Sequence, residues 1–173
     1  MERLVTVGFV ASLSACTTLG SVPTQAIAIA DLALSNGAPA GKALVTAGGD
    51  QINISLAAFG MPQGAHGMHL HMVGSCDAPT FSSAGAHLNP DHHQHGTANP
   101  DGSHLGDLPN LSINASGTGT ISVQLKGTRA DTEAAMFDAD GTAIIVHSGA
   151  DDYKTDPSGN SGARIACGVL KRN

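Results

Sequence analysis

Apolar and polar residues alternate with a period of two in short runs along most of the chain, a pattern that predicts half-buried β-strands rather than amphipathic helices. Four runs stand close together in the first half: AIADLAL at 28–34, GKALVTA at 41–47, QINISLAAF at 51–59 and AHGMHLH at 65–71. GGD at 48–50 reads as the hairpin turn between the second and third. Four more follow: LSIN at 111–114, GTISVQLK at 119–126, GTAIIVHS at 141–148 and ARIACGVLK at 163–171. Only RADTEAAMF at 129–137 predicts a helical turn. The order is that of an antiparallel all-β domain.

Two stretches, 73–110 and 149–162, carry no such pattern. Loops of this length inside a compact domain need a reason to be ordered, and function is the usual one. Both hold histidine, aspartate or a neighbouring cysteine, so a bound metal is the candidate organiser.

Composition narrows the picture. The chain has 173 residues, 41% of them hydrophobic and 13% charged, with 22 Gly, 8 Pro and no Trp. That suits one core with turn-rich, long loops. A formal net charge of -6 and the absence of a basic stripe argue against nucleic acid as a partner.

The first residues, MERLVTVGFVASLSAC, combine one early Arg with an apolar stretch too short to span a bilayer. They predict an export signal over 1–15. LSAC at 13–16 resembles the bacterial lipobox, which makes Cys16 the lipidated first residue of the mature chain. Thr17 after it resembles the pattern for outer-membrane sorting, and an ordinary cleavage site at Ala26–Ala28 ranks lower because it lies well past the apolar run. Residues 16–27 are expected to be a tether and 28–173 the folded domain. The membrane is then touched only through several acyl chains on one cysteine. Three cysteines in an exported chain leave one over. With Cys16 lipidated, Cys76 and Cys167 remain either as a pair in an oxidising compartment or as two buried thiols.

Nine histidines remain to be explained, five of them between Gly85 and Asp107. His69 and His71 are two apart on a strand, so their imidazoles share one face and can converge on an ion. His147 ends the apolar run AIIV and is a candidate third ligand. In the long loop, His87, His95, His104 and Asp107 supply three imidazoles and one carboxylate, enough to close a tetrahedral, structural zinc site. His92 and His93 lie between those ligands and are left outside the set.

Several independent segments together resemble the bacterial copper/zinc superoxide dismutases: GAHGMHLHMVGSC, then AGAHLNP followed by HG and HLGDLP, then GNSGARIACGVL. The similarity runs from Ala28 to Leu170. It implies an eight-stranded Greek-key β-barrel, flattened into an immunoglobulin-like sandwich, with two long loops over the metals. It implies one copper per subunit on His69, His71, His87 and His147, and one zinc on His87, His95, His104 and Asp107, with His87 as the bridge. Asp151 falls where the family keeps a carboxylate joining His69 to His95, Arg164 where it keeps an active-site arginine, and Cys76 with Cys167 where it keeps a disulfide. His66 matches a histidine with a structural role.

The implied activity is dismutation of superoxide to oxygen and hydrogen peroxide by a redox-cycling copper, with Arg164 holding the anion and His87 exchanging a proton. Its implied setting is the periplasm, with a lipid anchor in the outer membrane, as monomer or homodimer. Lys154 is a candidate for steering the anion, whereas Pro157 and Ser158 stand where eukaryotic members have Lys and Thr. The alternative from another class is a copper/zinc-binding or buffering module without fast turnover.

Overall fold

The computed structural model describes residues 23–173; the expected signal peptide, the lipobox and Cys16 lie outside them. Nine antiparallel strands are built from the alternating runs: β1 (Thr24–Leu34), β2 (Pro39–Gly48), β3 (Gln51–Ala58), β4 (Gly64–His71), β5 (Asp107–Ile113), β6 (Gly119–Gln124), β7 (Ala143–His147), β8 (Arg164–Val169) and the two-residue β9 (Lys171–Arg172). Their order in space is β5-β4-β7-β8-β1-β2-β3-β6, with β9 on β1. The first and last strands of that order approach each other, so the sheet curls into a nearly closed eight-stranded barrel. β3 to β4 and β6 to β7 are the long crossings of a Greek key.

The alternation explains the core. In β3, Ile52, Ile54, Leu56 and Ala58 are buried while their neighbours are not. Opposite them, β2 turns Ala43, Val45 and Ala47 inward, in register with Leu56, Ile54 and Ile52. Leu32, Met68, Leu70, Leu111, Ile144 and Val146 complete the interior. Each Leu, Ile or Val removed from water contributes roughly 1.5–3 kcal/mol. Alanines at 28, 30, 43 and 166 let the strands pack closely without aromatic rings.

The outer face of β7 and β8 matters more for function. Ala143, Ile145 and Cys167 point away from the barrel interior and pack with Phe81 and Ala84, forming a second small apolar cluster. The Cys76–Cys167 disulfide closes it, with Cα atoms 5.7 Å apart. The loop after β4, with its single helical turn at Ser82–Ala84, is thereby fastened to the barrel wall.

Most strand ends shift by one or two residues from the sequence expectation, and three differences are larger or change the element. β1 begins at Thr24, inside the expected tether, because Thr24, Gln25 and Ala26 pair with Gly48, Ala47 and Thr46 at the far end of β2. β5 begins at Asp107 rather than Leu111. Pro109 hides that strand from the pattern, but it sits where the ladder shifts register and so needs no donor. The expected helical turn is a full helix, α1 (Arg129–Met136), capped by the Thr128 hydroxyl, which accepts from the Asp131 N–H.

Candidate metal centre

β4 is buried from His66 to His71, with Met68 and Leu70 facing the core and His69 and His71 facing the opposite way. Those two imidazoles stand on the barrel's outer wall under the loops. β7 pairs with β4, and His147 at its end brings a third ring to within 4.8 Å of His69. The loop carrying His87 runs back along β4: Leu88 N–H donates to the Leu70 carbonyl at 2.8 Å and Leu70 N–H to the Gly106 carbonyl at 2.9 Å. His87 is thereby placed 4.0 Å from His69 and 4.9 Å from His71, centroid to centroid.

Each of these four rings uses one nitrogen on the protein and leaves the other free. His71 Nδ1 donates to the Gly85 carbonyl at 2.9 Å, and His147 Nδ1 to the Gly162 carbonyl at 3.1 Å. His69 Nε2 donates to Asp151 Oδ2 at 2.8 Å, and His87 Nδ1 lies 3.0 Å from Asp107 Oδ1. The other nitrogens, His69 Nδ1 and the Nε2 atoms of His71, His87 and His147, are buried without a hydrogen-bond partner among the described residues. Their ligand atoms lie within 4.8 Å of one another. Four buried lone pairs converging without a protein donor form a donor set that suits a cation. Nitrogen donors of this kind suit copper.

Burial holds His71, His87 and His147 neutral. His71 is pushed down to about 2 by burial and then by His87, and His147 to about 3 by burial and then by His69. His87 falls to about 4 through burial, with Asp107 opposing the shift.

The second cluster is organised by Asp107. Its Oδ1 lies 3.0, 2.9 and 3.1 Å from the Nδ1 atoms of His87, His95 and His104, while its Oδ2 accepts from the Gly96 and His104 N–H groups. Burial would raise this carboxyl, but the three imidazoles and Gly96 outweigh it and hold it far below the usual carboxylate range. His69 also approaches this group, yet its Nε2 is committed to Asp151. His104, with Nδ1 3.3 Å from His87 Nδ1, is the fourth member. Three nitrogens and one oxygen around one point match a closed zinc site.

Asp151 ties the two clusters together. Its Oδ2 accepts from His69 and its Oδ1 from His95 Nε2 at 3.0 Å. Burial works against charge on His95, but Asp107 and Asp151 on its two sides outweigh that and raise it to about 9. Gly159, at φ +62°, passes so close to this pair that a Cβ there would overlap Asp151 Oδ1. His66 stays apart from both clusters, spanning the carbonyls of His147 and Pro62 at 2.7 and 2.9 Å.

Arg164 stands opposite His147 in the β7–β8 ladder. Its guanidinium donates to the Phe81 carbonyl at 2.7 Å and the Gly85 carbonyl at 2.6 Å, so the disulfide-fastened loop fixes its direction. Its charge acts on both His71 and His147. Lys154 is exposed. One residue that no motif marked also belongs to the site: Asn110 holds Asp151 in place, and it lies neither in an apolar pattern nor at a ligand spacing.

A β-barrel bearing two metal clusters that share one imidazole defines a class of binuclear, histidine-bridged metalloprotein. Residues 40–170 match the family model for copper/zinc superoxide dismutase. The chain is 40% identical over 147 residues to superoxide dismutase [Cu-Zn] 1 of Aquifex aeolicus, covering 82% of this chain and 86% of that one. It is 42% identical over 142 residues to the Caulobacter vibrioides superoxide dismutase [Cu-Zn], covering 79% and 80%. Among solved structures, a double mutant of a SOD-like protein from Bacillus subtilis superposes with a TM-score of 0.76 at 39% identity, over 84% of this chain and 99% of that one. The chain therefore belongs to the copper/zinc superoxide dismutase family.

Proposed function

We propose that this protein dismutes superoxide at the cell envelope, holding copper on His69, His71, His87 and His147 and zinc on His87, His95, His104 and Asp107. The observation that carries the reading is the set of four buried imidazole nitrogens with no protein partner, each aimed by a hydrogen bond on the opposite side of its ring. When bound, copper supplies the electron transfer that turns two superoxide anions and two protons into oxygen and hydrogen peroxide, and zinc supplies a fixed positive charge that takes no part in redox.

The chain's own groups do the rest. Arg164 presents a charge whose direction is set by two carbonyls, which suits it to hold a small anion beside the imidazole face. His87 joins the two clusters and offers Nε2 as the atom where a proton is taken up and given back. Asp151 holds His69 and His95 by their Nε2 atoms, in the tautomers that leave the Nδ1 atoms free as ligands.

A buffering module would need the ligands alone. Arg164, aimed by a loop that the disulfide fastens, is an expense such a module has no use for, and it supports the enzymatic reading. The envelope setting rests on MERLVTVGFVASLSAC and on the disulfide, which belongs to an oxidising compartment. Mass analysis of the mature N-terminus tests the lipid on Cys16: a diacylated cysteine is expected, and an unmodified chain starting elsewhere contradicts it. For the activity, copper- and zinc-loaded protein is expected to speed superoxide decay, and Arg164→Ala to slow it with metal content unchanged.

A further inference from the structure

The zinc-type cluster is not closed equally on all sides. The side chains of His95 and Asp107 are 0% and 2% exposed, whereas those of His87 and His104 keep 5% and 7%. Those last two line a solvent-open cavity of about 520 Å³, so a cation arriving from solvent meets them first. The same cavity is lined by His92 and His93, both exposed and so on its rim, and by Asp138 and Asp156.

This rim is ordered. The Asn89 side chain accepts from the His93 N–H at 3.0 Å and donates to the His93 carbonyl at 2.9 Å, closing the turn that presents both rings. His92 sits at φ +57°, a left-handed conformation that a side-chain-bearing residue adopts only where its surroundings hold it. His93 Nδ1 donates to the carbonyl of Ser103 at 3.2 Å, which leaves Nε2 as the lone-pair nitrogen and ties the ring to the residue before His104.

We propose that this cavity is the route by which zinc reaches its site, and that His92 and His93 form a capture site for a divalent cation, which they pass to His104 and His87. The proposal rests on reading the buried cluster as the zinc site. Two exposed imidazoles bind a divalent ion weakly and exchange it readily, while three imidazoles and a buried carboxylate retain it. Transfer therefore runs downhill from rim to floor. The chain's negative balance favours arrival of a cation at such a rim.

The test uses metal-free, disulfide-intact protein mixed with a limiting amount of Co(II), whose visible bands report tetrahedral coordination. Replacing His92 and His93 together by Ala is expected to slow growth of those bands several-fold. Their final intensity and the affinity for Zn(II) against a competing chelator should not change. Replacing both by Gln is expected to be equally slow, because an amide keeps polarity without an imidazole nitrogen. An unchanged rate in the Ala variant, a rate restored by Gln, or an affinity that falls together with the rate would each overturn the capture role. Wild-type protein that never develops tetrahedral Co(II) bands would instead overturn the zinc-site reading itself.

Discussion

Asn110 grips the backbone of Asp151 from both sides: its Oδ1 accepts from the Asp151 N–H at 2.8 Å, and its Nδ2 donates to the Asp151 carbonyl at 2.9 Å. The Asn110 N–H in turn donates to the Tyr153 hydroxyl at 2.8 Å. A strand residue three places after Asp107 thus positions the carboxylate that joins His69 to His95 across two loops. Asn110→Ala leaves two backbone groups of Asp151 unpaired, at about 1–3 kcal/mol each. We expect a lower melting temperature and faster loss of zinc to a chelator. Zinc retention equal to wild type would show that Asp151 does not depend on this grip.

Arg164→Ala removes the one cation that the loop aims at the imidazole face. The loss of a charge-assisted hydrogen bond to the anion, about 1.5–3 kcal/mol, predicts a dismutation rate lower by about 10- to 100-fold. Bound copper and zinc should be unchanged, and the rate should depend less on ionic strength. Arg164→Lys keeps the charge but not the two-pronged grip on Phe81 and Gly85, so it should recover only part of the rate.

Gly85 offers one carbonyl to both His71 and Arg164, and the loop that carries it is fastened by Cys76–Cys167. With the two cysteines 91 positions apart, chain entropy alone sets a contribution of about 4–5 kcal/mol as an upper bound. Cys76→Ser combined with Cys167→Ser is expected to lower the melting temperature strongly. Its copper-loaded form should also be slower, because the acceptors that aim Arg164 are no longer held. Full activity in that double variant, at a temperature where it is folded, would sever the link between disulfide and arginine.

The pH dependence of the metal-free protein follows from the signs of its shifts. His71, His87 and His147 lie at about 2, 4 and 3 in the folded state, so below 6.5 the unfolded chain takes up protons that the folded one refuses. Stability therefore falls as pH drops below 6.5. Asp107 and Asp151, both held low, add to this loss once pH falls below their unfolded values near 4. His95 acts in the opposite sense: raised to about 9, its contribution is full below 6.5 and is lost as pH rises through 9. The melting temperature of metal-free protein should peak near neutrality and fall more steeply on the acid side. A melting temperature that rises from pH 6.5 to pH 5 would contradict this assignment.

Part of the candidate site was readable from spacing: His69 and His71 lie two apart on a strand whose other face is apolar, and His87, His95, His104 and Asp107 supply a tetrahedral donor set. The sharing of His87 between the two clusters and the places of Asp151 and Arg164 came from the resemblance alone. The barrel strands were readable because Ile52, Ile54 and Leu56 alternate with polar neighbours. What escaped depends on contacts between residues far apart in sequence. Asn110 meets Asp151 across 41 residues, and Arg164 finds the Gly85 carbonyl across 79. The start of β1 at Thr24 is set by the far end of β2 rather than by any local pattern. Pro109 spoke against a strand until its place at a register shift was known.

If the four unpartnered imidazole nitrogens are the copper site of a working dismutase, metal content and activity must go together. Copper and zinc content and the rate of superoxide decay should be measured on one preparation of the full chain loaded with both metals. One copper and one zinc per chain with rapid superoxide decay is the predicted result. Full metal content with decay no faster than in the metal-free control would contradict it.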